Sequence, residues 1–236
     1  MNSFIVYQLK NYIRSLIFIP PVALYLCWVS IQYAYTTADV LSSYANSAVV
    51  LYIILTWISM NIFRLEEEAE KHILLVHLKQ KEHFLYGKWL TCIVMMLPLA
   101  VFAHFYPIVA DSFMVPVTST SHILSLYCHI GLGSLGIMTG SFFAGTNIAK
   151  ARYIWLLSAL TVTASLAHSQ LVELLPSGLS WILWILPPLR FLYEPLKAGS
   201  MDALPPGFLA SFCMAMFYLL IAGIVVLKMF MKKEKV

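Results

Sequence analysis

Long apolar runs recur along this chain, and they constrain its fold more than any other feature. Six mostly apolar segments of about 20 residues, the length that crosses a bilayer, follow one another: 16–35, 44–63, 89–110, 122–144, 153–172 and 207–229. Hydrophobic residues make up 61% of the 236 residues and charged residues 11%. A soluble fold cannot hide that excess. We therefore expect an all-α membrane protein with six transmembrane helices in a single domain, residues 1–236.

Two flanking segments predict additional membrane-associated structure. In residues 1–15, apolar side chains recur at helical spacing around Lys10 and Arg14, which is typical of an amphipathic helix on the membrane surface. Segment 16–35 is too long for a signal-peptide core, and we expect it to be retained. Within 173–206, the apolar run 179–186 ends at Pro187 and Pro188 and is too short to cross a bilayer. We expect 173–206 to form a half-inserted hairpin before the last span.

The distribution of basic residues predicts the orientation. Lys and Arg near span ends concentrate on the cytoplasmic side. With the N-terminus inside, all but two of the 15 Lys and Arg residues fall on that side, the exceptions being Arg190 and Lys197. A competing topology with a seventh span at 177–192 would export the basic C-terminal tail. We expect both termini in the cytoplasm and the 173–206 hairpin outside, in a multi-pass protein of a bacterial plasma membrane.

The loop at residues 64–88 is the most informative polar segment. It begins with a cluster of acidic residues, and Glu67 and Lys71 stand at the spacing of a helical ion pair. An apolar stripe follows the same helix, formed by Leu65, Ala69, Ile73 and Val76. The pattern predicts an amphipathic helix at the cytoplasmic face. It fits either a solvated connector between spans or a docking element for a partner, and the pattern alone leaves both open.

The loop resembles the coupling region of permease subunits of ABC transporters of the ABC-2 (type V exporter) group. The resemblance rests on an acidic start, a small residue, paired leucines, a basic stretch and a Gly-Lys pair that opens the third span. The matching residues are Glu67, Ala69, Leu74, Leu75, Lys79, Lys81, Gly87 and Lys88. The predicted layout is similar too, with an N-terminal amphipathic elbow helix, six spans, a cytoplasmic coupling helix and an extracellular re-entrant hairpin.

This resemblance implies a permease subunit that moves a hydrophobic or amphipathic cargo, such as a peptide, lipid or antibiotic, out of the cell. It implies two copies of an ATP-binding subunit, which would hold ATP and Mg, and a second permease, identical or homologous. The implied docking residues on this chain are Glu66, Glu67, Ala69, Glu70, Lys71, Leu74 and Leu75. No nucleic acid partner is implied. The alternative is a non-transporting membrane anchor or assembly protein.

Several chemistries lack the residues that they need. The single Gly-Lys pair, Gly87-Lys88, has Glu82 in place of the first P-loop glycine and Trp89 in place of Ser or Thr. We therefore expect no cofactor on this chain and ATP hydrolysis on another polypeptide. The four cysteines lie singly in apolar segments, and no metal-protease motif occurs. We expect no catalytic residues and no metal. His104 and His129 are candidates for a buried polar path or for simple interhelical hydrogen bonds.

Polar or aromatic residues within the spans suggest where cargo could pass. We take as candidate lining residues Tyr25, Gln32, Tyr52, Thr56 and Ser59. In the hairpin, Arg190, Tyr193 and Glu194 are candidates for an outer gate, and Arg190 and Glu194 could instead pair in a rigid turn. Gly136 and Gly140 stand four residues apart in the fourth span, a spacing that lets helix backbones approach closely. We expect this contact to lie within the chain, with a dimer face as the alternative.

Overall fold

The computed structural model describes residues 2–34, 38–78, 80–146, 148, 150–174, 176, 181, 183–198 and 203–233. In chain order its helices are α1 (Asn2–Arg14), α2 (Ile19–Gln32), α3 (Val40–Phe63), α4 (Glu68–His77), α5 (Lys81–Val109), α6 (Ser119–Gly145), α7 (Ile154–Leu166), α8 (His168–Leu174), α9 (Arg190–Ala198) and α10 (Phe208–Lys233). Among these residues the only extended pairing is an isolated bridge between Ala38 and Phe113. The prediction of an all-α fold is confirmed.

Four helices are long and apolar enough to cross a membrane: α3, α5, α6 and α10. Two further candidates are bent pairs, α1 with α2 at 80° and α7 with α8 at 76°. The described residues therefore include the helices of a multi-pass membrane protein, four of them long enough to span, or up to six if each bent pair is one span. The predicted span 16–35 is shorter as a helix, because α2 has 14 residues and reaches only about 21 Å at 1.5 Å per residue.

Local sequence explains where several helices begin. The Asp39 carboxylate accepts a hydrogen bond from the Ser42 amide at the start of α3, and the Thr118 hydroxyl accepts one from the Ser121 amide at the start of α6. Such caps satisfy amide donors that the first turn leaves open. Helix α5 continues through Pro98 and Pro107, which membrane helices tolerate because neighbouring groups can take up the freed carbonyls.

Helices α3 and α6 lie at the centre and run side by side in the same direction. In each, 61% of the most apolar 18-residue window is buried, against 11% in α10. The contact depends on Gly136 and Gly140. A methyl group at Gly136 would lie 2.6 Å from the Tyr52 carbonyl oxygen, and one at Gly140 would lie 2.5 Å from the Thr56 carbonyl oxygen. This confirms that the two glycines pack within the chain.

The bundle has two distinct ends. At the first, which we call the loop end, α1, α4, the start of α5 and the end of α10 meet around Phe4, Phe84 and Phe230. The N-terminal helix, the loop and the last turns of α10 therefore share one end. At the second, the opposite end, α9 packs against the starts of α3 and α6 through Leu192 and Leu196, which are buried. Ten of the 34 residues of the 173–206 segment, at 175, 177–180, 182 and 199–202, lie outside the described residues.

Candidate functional site

Helix α4 presents two different faces at the loop end. Leu74 and Leu75 are partly buried and pack against the cluster of Phe4, Phe84 and Phe230. On the outer face, Ile73 is 60% exposed and Val76 is 78% exposed. Large apolar side chains exposed together on a short helix form a surface to which another protein can bind. The helix is therefore anchored on one side and open on the other.

Polar contacts also hold α4 to its neighbours. The Tyr7 hydroxyl of α1 donates to the Glu70 carboxylate. The Lys71 ammonium lies 5.9 Å from the centre of the Phe230 ring of α10, within the range of a cation–π contact. The acidic side chains of Glu68 and Glu70 stand in the first turn of α4, where the positive end of the helix dipole favours them. These contacts link α4 to the first and last helices.

A buried ion pair connects the loop to the spans. The Lys88 ammonium donates to both carboxylate oxygens of Glu66, one at 2.5 Å, and to the Ile62 carbonyl oxygen at 2.6 Å. Their side chains are 0% and 2% exposed. The ammonium also lies 5.3 Å from the Phe84 ring centre. Since a buried charge is costly unless it is paired and hydrogen-bonded, the pair fixes the end of α3 and the loop against α5.

The residue before this lysine needs to be small. A methyl group at Gly87 would lie 2.3 Å from the Phe4 ring, so a larger residue would displace that ring from Phe84, whose centre lies 5.5 Å away. Glycine therefore lets α1 approach the start of α5. The Gly-Lys pair, which the sequence singled out by resemblance, has a packing role and an electrostatic role side by side.

The predicted docking residues are distributed over both faces of the loop. Glu67 and Ala69 are exposed, while Glu70 and Lys71 are partly buried. Glu66 is buried in the ion pair with Lys88, and Leu74 and Leu75 face the bundle. Of the predicted apolar stripe, Ala69, Ile73 and Val76 are exposed, whereas Leu65 packs against the core. Lys79, part of the sequence resemblance, lies outside the described residues.

The predicted cargo-lining residues lie in the interior between α2, α3 and α6. The Tyr25 hydroxyl donates to the Ser47 carbonyl oxygen at 3.3 Å, and the Ser59 hydroxyl donates to the Ile137 carbonyl oxygen at 3.0 Å. The Thr56 hydroxyl bonds within its own helix to Tyr52. Gln32 is partly exposed and donates to the Ser43 carbonyl oxygen. In this conformation these side chains fill space between helices.

An apolar cavity of about 460 Å³ lies instead between α6, α7, α10 and the segment before α9. Its walls include Leu135, Phe142, Trp184 and Ala222, with hydroxyls at Thr139, Thr161 and Tyr218. The Tyr218 hydroxyl donates to the Ile185 carbonyl oxygen at 3.0 Å. The volume falls within the range of about 300–1,000 Å³ that is usual for small-molecule sites. No sequence pattern marked this cavity, because its walls come from segments distant along the chain.

The predicted gate residues are on α9. The Arg190 guanidinium stacks 4.8 Å from the Phe191 ring centre, and Tyr193 lies under the Lys197 ammonium at 4.8 Å. Glu194 is exposed. Arg190 and Glu194 both belong to the described part of the chain, and the ion pair suggested between them does not form there.

The described residues contain no group of three or more His, Cys, Asp or Glu side chains placed to hold a metal ion. A search with protein-family models, one among characterised proteins and one among solved structures found no match to this chain.

Proposed function

We propose that the chain is the membrane-spanning permease subunit of an ATP-driven exporter, similar to the ABC-2 group. In this proposal α4 is the coupling helix that docks into an ATP-binding subunit. Two such subunits carry ATP and Mg, and a second permease, identical or homologous, completes the complex. ATP-driven movement of the motor would reach the spans through α4. The rest of the proposal depends on this docking.

The observation that carries the proposal is that one face of α4 is packed against the bundle while the other is exposed. Its inner face is fixed to α1, α5 and α10, while Ile73 and Val76 project outward. A connector that only joined two spans would have no need for large apolar side chains on its outer face. The exposed Glu67 and Glu68 beside them would set the register of the docked partner, since rim charges contribute more to specificity than to affinity.

The distribution of elements supports a cytoplasmic loop end. The N-terminal helix, α4 and the last turns of α10 meet there, and most of the Lys and Arg residues are close to these elements in sequence. Basic residues collect on the cytoplasmic side of membrane proteins. In this orientation α1 is the elbow helix, both termini are cytoplasmic, and the 173–206 segment with α9 is the extracellular hairpin.

The Glu66–Lys88 pair supports a direct mechanical link. It binds the loop just before α4 to α5, and Lys88 also holds the Ile62 carbonyl near the end of α3. A displacement of α4 by a docked motor would therefore pull on two spans together. Such an ion pair transmits movement because parting it leaves two buried charges unpaired.

The cargo in this proposal is hydrophobic or amphipathic. The support is the cavity between α6, α7 and α10, whose walls are almost entirely apolar. The buried residues Tyr25, Tyr52, Thr56 and Ser59 would line a path only if α2 and α3 separate from their neighbours. Arg190, Tyr193 and Glu194 would then control the exit at the opposite end.

The test is copurification of the tagged chain from its native membranes in mild detergent. We expect a Walker-motif ATPase to be recovered in stoichiometric amount, and the purified complex to hydrolyse ATP. Replacing both exposed residues, as Ile73→Glu with Val76→Glu, should reduce the recovered ATPase at least tenfold, because two charges would be buried in the contact. Yield and detergent stability of the chain itself should be unchanged.

A matched control adds charge at the same end but off the docking face. Gln80→Glu, at an exposed position before α5, should leave ATPase recovery unchanged. If the double variant retains the ATPase as well as this control does, the docking role of α4 is wrong. Recovery of the wild-type chain with no ATPase would favour the membrane anchor or assembly protein.

A further inference from the structure

A chain of hydrogen-bonded polar side chains enters the bundle at the opposite end, far from the loop. It runs from His122 at the start of α6 to His104 of α5, then to Ser125 and His129 of α6, and ends at Ser47 of α3. His104, Ser125, His129 and Ser47 are buried, with exposures of 0–2%, and His122 is partly exposed. Ionisable groups inside a membrane are costly and often functional.

The contacts along this chain are continuous. His122 Nδ1 lies 3.0 Å from His104 Nε2, and His104 Nδ1 lies 2.9 Å from the Ser125 hydroxyl. The Ser125 hydroxyl is 3.4 Å from His129 Nδ1, and His129 Nε2 is 3.0 Å from the Ser47 hydroxyl. His129 stands ten residues after the first residue of α6, which places it about 15 Å along that helix.

One backbone contact sets the position of one proton. His129 Nδ1 lies 2.8 Å from the Ser125 carbonyl oxygen, which can only accept, so Nδ1 carries a proton. For a chain of hydrogen bonds that runs from His129 out to His122, the Ser125 hydroxyl donates to His104 Nδ1. His104 therefore carries its proton on Nε2 and donates it to His122 Nδ1. Every donor points from the interior toward His122, whose own Nε2 proton ends the chain.

When His129 is charged, each of its two ring protons also has a hydrogen-bond acceptor. An added proton on Nε2 would donate to the Ser47 hydroxyl oxygen, and the Ser47 hydroxyl would turn to the Tyr44 carbonyl oxygen at 3.1 Å. The Nδ1 proton would keep its bond to the Ser125 carbonyl. The surroundings thus offer an acceptor for each ring proton of His129 in both states.

We infer that His129 is a buried proton-binding site and that Ser125, His104 and His122 are its route to water. To release a proton, charged His129 passes its Nδ1 proton to the Ser125 oxygen. The Ser125 hydroxyl proton moves to His104 Nδ1, the His104 Nε2 proton moves to His122 Nδ1, and the His122 Nε2 proton joins a water molecule. Release leaves the opposite tautomers, with His129 protonated on Nε2 and bonded to Ser47, and with His104 and His122 protonated on Nδ1. Uptake starts from that state and is the reverse sequence, with hydronium as the donor, so the net change is one proton.

The groups around the chain are mostly neutral. Tyr44 of α3 stacks on His104 at 5.5 Å between ring centres and meets His129 edge-on at 6.1 Å. Phe105 of α5 touches His104, Tyr25 of α2 bonds to the Ser47 carbonyl, and Cys128 is buried beside His129. Among the described residues, no carboxylate, lysine or arginine is hydrogen-bonded to His104 or His129.

The absence of a counter-charge keeps the protonated fraction of His129 low. A proton on His129 would face hydroxyls and carbonyls, which stabilise a cation less than a carboxylate does. The site therefore suits transfer better than storage, and its occupancy should rise as the solution becomes more acidic. Protonation of His129 would alter the contacts between α3, α5 and α6 without any ATP-driven motor, so the inference is independent of the proposed transport function.

The experiment is nitrogen NMR of the full chain labelled with ¹⁵N-histidine, in lipid nanodiscs, between pH 8 and pH 3. We expect His129 to carry a single ring proton at high pH and to become a hydrogen-bonded imidazolium on acidification. Exchange of its ring proton with water should slow at least tenfold in His122→Gln, which interrupts the route at its partly exposed end. His72→Gln, on the exposed side of α4, should leave the exchange unchanged.

A second variant interrupts the route without replacing a histidine, and its His129 Nδ1 signal reports whether the local fold is kept. Ser125→Ala removes the link between His104 and His129 but leaves the backbone acceptor in place, so His129 should keep its Nδ1 proton while its exchange with water slows. A His129 that stays neutral to pH 3 in the wild type would overturn the inference. Unchanged exchange in both His122→Gln and Ser125→Ala, with the Nδ1 signal intact, would overturn it as well.

Discussion

The two ends of the bundle both bury polar side chains, but they satisfy them differently. At the loop end, Lys88 and Glu66 carry opposite charges and bind each other. At the opposite end, His104, Ser125, His129 and Ser47 bond to one another. Among the described residues, no carboxylate, lysine or arginine is hydrogen-bonded to the two histidines. The first arrangement resists separation, because either partner alone would be an uncompensated buried charge. The second, if His129 binds a proton as we infer, can gain or lose charge without separating two ions.

This difference matches what surrounds each network. The ion pair joins the loop that carries α4 to α3 and α5. The histidine chain joins helices already held together by close packing of α3 and α6. The ion pair therefore lies at the end where a partner would bind. The histidine chain lies where helix packing already supplies stability.

The largest effect should come from breaking the ion pair. Lys88→Met leaves the Glu66 carboxylate buried and unpaired, and should lower the free energy of unfolding by about 3–5 kcal/mol. Unfolding in mixed micelles would measure it. Adding Glu66→Leu to Lys88→Met removes the orphan charge and should restore most of the loss. No gain from the second substitution would mean that Lys88 acts through packing on Phe84 alone.

A smaller loss is expected at the opposite end. His129→Leu removes a neutral hydrogen-bonding partner, and should cost about 1–3 kcal/mol. The value should lie near the lower limit, because the Ser47 hydroxyl still reaches the Tyr44 carbonyl. The same unfolding assay compares it with Lys88→Met. A loss equal to or greater than that of Lys88→Met would contradict the contrast between the two ends.

The smallest effect concerns an exposed carboxylate at the opposite end. Hydrogen bonds from the Ser42 hydroxyl and amide hold the pKa of Asp39 below its ordinary value. Asp39→Ala removes this helix cap and should cost about 1 kcal/mol at neutral pH. Because the folded-state pKa is depressed, the contribution is present above the unfolded-state pKa of about 4 and disappears as pH falls through the lower folded value.

An uncharged amide of the same shape provides the comparison for this prediction. Asp39→Asn keeps an oxygen that can accept from Ser42 but cannot titrate, so its stability relative to Asp39→Ala should not vary between pH 7 and pH 3. Stability curves over that range would separate the two substitutions. A wild-type advantage over Asp39→Ala that persisted unchanged at pH 3 would show that charge plays no part in the cap.

Much of the fold follows from local sequence. The predicted segments 44–63, 89–110, 122–144 and 207–229 lie in α3, α5, α6 and α10, because a run of apolar residues needs a helix to satisfy its backbone in lipid. The small-residue spacing of Gly136 and Gly140 correctly predicted an internal contact. A surface helix over 1–15 followed by a span over 16–35 implies a bend between them, and α1 and α2 meet at 80°. The bend within the fifth apolar segment was not predicted, since it has apolar residues on both sides.

The candidate site was only partly predictable. The periodicity of 64–88 predicted a helix, and α4 forms. The stripe through Ile73 and Val76 was identified, yet hydrophobicity alone does not tell that Leu74 and Leu75 face the bundle. The partner of Lys88 lies 22 residues away at Glu66, and four other acidic residues stand nearby in the sequence, at positions 67, 68, 70 and 82.

By itself, the sequence determined that the chain is helical and belongs in a membrane, because apolar content and run length act locally and independently of packing. Tertiary structure decided which polar groups meet. His104 and His129 are 25 residues apart, and they share Ser125 only because α5 turns back into α6. Such contacts depend on the rotation and depth of each helix, which arise from the packing of all its neighbours together.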